Sequence, residues 1–137
     1  MNLDTYDLPD SYRAYMATRD PAVDAYYTFR ERKRPQKDIR IYCLWSLRTL
    51  EEKQPVIRTP LYQEYWVQRQ QAKHLRSKTA FAFGHATDGD GILFFHPENH
   101  GVWEIATNDS ARLLAATFAD FFERAVFDRE VDLRNFF

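Results

Sequence analysis

The sequence is poor in the residues that would identify several common protein classes. Its 137 residues contain one cysteine, Cys43, so no intramolecular disulfide can form and a secreted disulfide scaffold is excluded. Only four glycines occur, Gly84, Gly89, Gly91 and Gly101. They match neither the dinucleotide fingerprint nor the phosphate-loop spacing, which excludes nucleotide binding by those routes. No window approaches the roughly 20 apolar residues of a membrane span, and the opening Met1 to Asp7 lacks both the basic and the apolar stretch of a signal peptide. The expected location is therefore cytoplasmic, with no membrane partner. Excess charge is missing too: 19 basic and 20 acidic side chains leave a net −1, too little for a surface that attracts polyanions or membranes as a whole.

What is present is apolar mass. Apolar residues make up 45% of the chain and aromatics 16%. At this length folding removes about 68% of the unfolded chain's accessible surface, enough for one core without staples. A single domain over residues 1–137 is expected. The charge, however, is unevenly spread: −3 over residues 1–29, +8 over 30–79 and −6 over 80–137. The densest basic run, Arg30 to Arg40, contains Arg32, Lys33, Arg34, Pro35 and Lys37 and reads as an exposed loop.

Helix and strand signals alternate along the chain without repeats. Leu8-Pro9-Asp10-Ser11 opens a helix with Tyr12, Tyr15 and Met16 at helical spacing, which stops near Asp20-Pro21. Val23 to Phe29 and Ile39 to Trp45 are rich in β-branched and aromatic residues, predicting two strands paired across the basic loop. Ser46 to Glu52 predicts a short helix and Pro60 to Arg76 a longer one. Thr79 to Phe83, Gly91 to Phe95 and Val102 to Ile105, separated by turn formers, predict an antiparallel meander. Leu113, Leu114, Thr117, Phe118, Phe121, Phe122, Ala125 and Val126 predict one closing helix packed on that meander. The apolar tail from Asp128 to Phe137 is expected to fold back or meet a partner. The fold class is α+β: an antiparallel-rich sheet with N-terminal and C-terminal helices packed against it.

Catalytic signals are weak. None of the four serines lies in a nucleophile elbow, and Cys43 sits in an apolar strand run where a buried thiol is inert. Asp88-Gly89-Asp90-Gly91 begins like a calcium loop, but position 5 is Ile92, position 6 is Leu93 and position 12 is Asn99. His85, His96 and His100 share the meander loops without ligand spacing, so zinc is not expected. Asp90, Glu98 and Glu104 offer carboxylates for hydrolysis, but sequence fixes no separation between them. The basic run near Tyr26, Tyr27, Phe29, Tyr42 and Trp45 has the ingredients of a nucleic-acid surface, but strand aromatics more often build cores. No enzyme activity, cofactor, metal or nucleic-acid partner is expected.

The order of motifs points further. Leu8-Pro9-Asp10-Ser11-Tyr12, Leu44-Trp45-Ser46-Leu47-Arg48-Thr49-Leu50, Phe81-Ala82-Phe83-Gly84 followed by Asp88 to Phe95, Gly101-Val102-Trp103-Glu104, and Leu114 to Phe122 together resemble the SUKH superfamily, which includes the SMI/KNR proteins. The resemblance implies one SUKH-like α+β domain. For bacterial members it implies an immunity protein that neutralises a cognate toxin by steric occlusion. Fungal members imply the alternative, an intracellular regulatory or scaffold module of the same fold without a toxin partner. Charge segregation suggests two candidate partner surfaces. The preferred one gathers Asp88, Asp90, Glu98 and Glu104 around Trp103, an acidic mimic suited to a nuclease toxin. The second, Arg32, Lys33, Arg34 and Lys37, suits an acidic toxin.

Overall fold

The computed structural model describes residues 1–30, 39–57, 81–89, 91–106 and 111–136. The basic loop, the expected helix from Pro60 to Arg76, the start of the Thr79 strand, Asp90 and the expected caps at 108–110 lie outside the described residues.

A 3-10 turn, Leu3–Thr5, precedes α1 (Asp10–Ala17), in which Tyr12 and Met16 are buried as their four-residue spacing requires. Then come β1 (Val23–Arg30), β2 (Ile39–Leu44), α2 (Leu47–Ile57), β3 (Phe81–Ala86), β4 (Ile92–Phe95) and β5 (Val102–Ile105). β6 (Ala111–Ala115), α3 (Phe118–Glu123), β7 (Ala125–Asp132) and a closing 3-10 turn, Leu133–Phe136, complete the chain. The strands form one antiparallel sheet in the order β6-β5-β4-β3-β2-β1-β7. The expected α+β class, hairpin and meander are all present. Helix α2 runs past the expected Glu52 and includes Pro55 near its end. Its start is fixed by Asp24, whose carboxylate accepts from the Ser46 backbone N–H at 2.8 Å and the Thr49 hydroxyl at 2.8 Å.

The closing helix is the main correction. In place of one helix from Leu113 to Val126 the chain makes a strand, a six-residue helix and another strand. Leu114 is buried while Leu113 is 55% exposed, the alternation of a strand and not one helical stripe. Thr117 is extended and its Oγ1 accepts from the Asp120 N–H at 3.0 Å, which starts the helix there. Ala125 to Asp132 then pairs with β1 and, with Leu133 N–H donating to the Ala22 carbonyl at 2.9 Å, returns the tail to the domain.

The core lies where α1 and α3 cover one sheet face. Tyr12 meets Phe81, Phe83, Phe95 and Phe118 edge-on, Phe83 stacks on Phe95 at 4.1 Å, and Phe29 stacks on Phe121 at 4.8 Å. Tyr42 joins this face through Phe29 and Phe121. The next residue, Cys43, points the other way and is buried opposite His85.

Candidate protein-binding site

The structure spreads the described residues of the preferred acidic patch over both ends and both faces of the sheet. Ala86 pairs with Tyr42, Ile92 with Ile105, and Ile105 with Ala111, so the β3–β4 turn carrying Asp88 shares a sheet end with the β5–β6 connection. The His96 to Gly101 turn, carrying Glu98, leaves the other end of β4. Four strand residues separate them, about 13 Å. Trp103 and Glu104 are neighbours in β5 and project to opposite faces, Trp103 beside His96 with ring centroids 6.3 Å apart. Glu104 is only 2% exposed and cannot anchor a partner directly. Asp90 and the second patch, Arg32, Lys33, Arg34 and Lys37, lie outside the described residues.

The structure instead joins Asp88 and Glu104 through two arginines. Glu104 Oε1 accepts from the Tyr42 hydroxyl at 2.8 Å, Arg40 Nη1 at 2.9 Å and Arg112 Nη2 at 3.0 Å. Arg40 Nη2 also donates to Asp88 Oδ1 at 3.2 Å. Burial, reinforced by the Glu104 charge, raises the Tyr42 pKa and keeps its hydroxyl a donor. The other side of the carboxylate rests on Gly91, where a Cβ would come within 2.1 Å of Glu104 Oε2; glycine is required there for space. The two arginines remain part-exposed and Asp88 is exposed, so a buried anchor holds polar groups at the surface in fixed positions.

Arg40 and Arg112 lie outside both surfaces expected from the sequence, yet the sequence carries a signal for the network. Glu104 has the parity of Val102 in a buried strand, and Arg40 that of Tyr42 in another. Opposite charges at core-facing strand positions imply a buried ion pair.

A concavity of about 570 Å³ opens between α1 and α3 and is lined by Tyr15, Tyr27, Phe118 and Phe122. The Tyr15 and Tyr27 hydroxyls lie 3.1 Å apart, and burial followed by this contact raises the Tyr15 pKa. On the opposite sheet face Trp45 Nε1–H donates to His85 Nδ1 at 2.7 Å, and burial followed by the Lys53 charge lowers the His85 pKa. Among the described residues no group of three or more His, Cys, Asp or Glu side chains is placed to hold a metal, and no helix is long and apolar enough to cross a membrane.

No curated protein and no solved structure matches the chain significantly. The sequence model of the SMI1 / KNR4 family (SUKH-1) matches residues 4–124, spanning α1 through α3. The motif order, the sheet with its covering helices and this match over most of the chain agree: the protein belongs to the SMI1 / KNR4 family (SUKH-1).

Proposed function

We propose that the protein is an immunity protein that binds a cognate bacterial toxin in the cytoplasm and neutralises it by steric occlusion, without catalysis of its own. The observation that carries this reading is the family match over residues 4–124. The contact surface we assign is the sheet end bearing Asp88, Arg40 and Arg112. Their side chains are already fixed through Glu104, so binding loses little rotamer entropy there. Asp88 is the exposed acid of the group and the one suited to meet a cationic nuclease site.

The test is co-expression with the toxin encoded by the neighbouring gene. The wild-type chain should rescue growth and co-purify with the toxin, and Asp88→Lys should weaken capture by about tenfold or more while leaving the fold intact. Failure to bind or protect would sink the immunity reading. Full binding by Asp88→Lys would sink only the surface assignment.

A further inference from the structure

Strand β7 is a sheet edge whose charges are arranged to match themselves. It pairs with β1 alone, and among the described residues no strand takes its outer side. Its side chains Val126 and Phe127 are 65% and 54% exposed, the largest such values among the exposed apolar residues apart from Leu113 at 55%. An open edge with exposed apolar side chains invites pairing with another chain.

The register with β1 fixes which side chains share a face. Phe127 stands opposite Tyr27, Glu130 opposite Ala25 and Asp132 opposite Val23, while Val126 stands opposite Thr28, Arg129 opposite Tyr26 and Val131 opposite Asp24. Asp128 is the extra residue at the shift between Tyr26 and Tyr27. That extra residue brings Phe127 and Glu130, three apart in sequence, to one face, and Val126 and Val131, five apart, to the other.

A two-fold axis passing between Asp128 and Arg129 overlaps the whole of β7 antiparallel with a second β7. In that register Phe127 faces the second copy's Glu130, Val126 faces its Val131, and each Asp128 faces an Arg129. The Phe127–Glu130 and Val126–Val131 pairs each stay on one face, and each Asp128 meets an Arg129. Arg129 is already turned along its face by the Tyr26 ring, 4.7 Å from its guanidinium carbon, and Glu130 is held by Arg19 at 3.2 Å, which compensates its charge beside Phe127. Asp128 and Arg129 already approach each other at 4.0 Å within the strand, and in the two-fold register each also meets its opposite on the second copy, so the edge is complementary to itself.

We infer that β7 is the interface of a symmetric homodimer, its occupant a second copy of this chain joined edge to edge into one continuous sheet. The inference does not depend on the toxin reading.

Sedimentation equilibrium across a concentration series tests it on the full chain. Wild type should fit a monomer–dimer equilibrium. Arg129→Asp and Asp128→Arg should each weaken association by about a hundredfold, because the axis makes each change act twice. The exchanged double variant Asp128→Arg/Arg129→Asp should restore dimers, and thermal melts confirm that each variant is folded. Val126→Cys/Val131→Cys should form an interchain disulfide on oxidation, since within one strand the two positions stand about 15 Å apart. A wild-type chain that stays monomeric throughout, or a dimer indifferent to the single reversals, overturns the inference. So does a β7 whose charge changes alter toxin binding but not self-association.

Discussion

Replacing Glu104 by alanine is the most direct probe of the network that shapes the candidate site. The carboxylate is buried and takes three donors on one oxygen, two of them guanidinium groups. Removing one member of a fully buried ion pair costs about 3–5 kcal/mol because the remaining charge is stranded. Here Arg40 and Arg112 keep 23% and 34% side-chain exposure, so water recovers part of that loss and about 2 kcal/mol remains for the pair. Tyr42 loses its acceptor while buried, adding about 1 kcal/mol. The sum, about 3 kcal/mol, corresponds in a domain of this size to a midpoint lowered by about 10 °C. Glu104→Gln keeps an acceptor oxygen and the side-chain volume, so it should lose about half as much. Glu98→Ala, in the exposed turn at the other end of β4, serves as control and should stay within about 0.5 kcal/mol of wild type. Thermal and urea unfolding followed by circular dichroism give both quantities. A Glu104→Ala midpoint matching that of Glu98→Ala would refute the reasoning, because the carboxylate would then organise nothing.

Gly91→Ala should destabilise by pushing Glu104 off its donors, and in a Glu104→Ala background the same change should cost almost nothing further; additive losses in urea melts would contradict the contact. The lowered His85 pKa means the unfolded chain takes up a proton that the folded chain resists. Stability should therefore be complete above pH about 6.5 and fall as the pH drops below it toward the lowered folded value. His85→Gln, which retains an acceptor for Trp45, should flatten that decline, and identical pH–stability slopes for the two proteins would overturn it. Burial, followed by the Asp24 charge, pushes the Cys43 thiol up to about 12, so iodoacetamide should leave it unmodified in the native protein and label it in denaturant; stoichiometric native labelling would contradict its placement. Thr117→Ala removes the cap of α3 and should lower stability by about 1 kcal/mol, with Thr117→Ser recovering most of it in the same melts.

Local chemistry made the first half of the fold and the meander readable. Tyr12 and Met16 one helical turn apart, the β-branched and aromatic runs of β1 and β2, and the Asp/Gly and Pro/Asn turns each state their conformation within a few residues. The apolar spacing of the C-terminal quarter fits two structures. Phe118, Phe121 and Phe122 do make a helical turn, but Leu113 and Val126 belong to strands, with one long-range partner in β5 and the other in β1. Neither partner is visible from the local pattern, and a capping threonine in the middle of an apolar repeat was the one local sign that the helix starts late.

The candidate site was less legible than the fold, and the reason lies in how the sheet uses charge. Blocks of opposite sign along a sequence become opposed surfaces only if each block stays together in space. In this topology strands from different blocks adjoin or face the same core, and the charges meet across block boundaries. Arg40 of the basic block reaches Asp88 and Glu104 of the acidic one, Arg19 reaches Glu130, and Arg134 reaches Asp20. Each contact removes a charge from the patch its block would have formed. Among the described residues, folding thus joins charges of different blocks in ion pairs. On the contact surface proposed above, Asp88 presents its charge from a position fixed by Arg40. Such a surface discriminates by geometry and hydrogen bonding, so changes that keep charge but shift an arginine, such as Arg40→Lys, should weaken binding where simple charge complementarity predicts no effect.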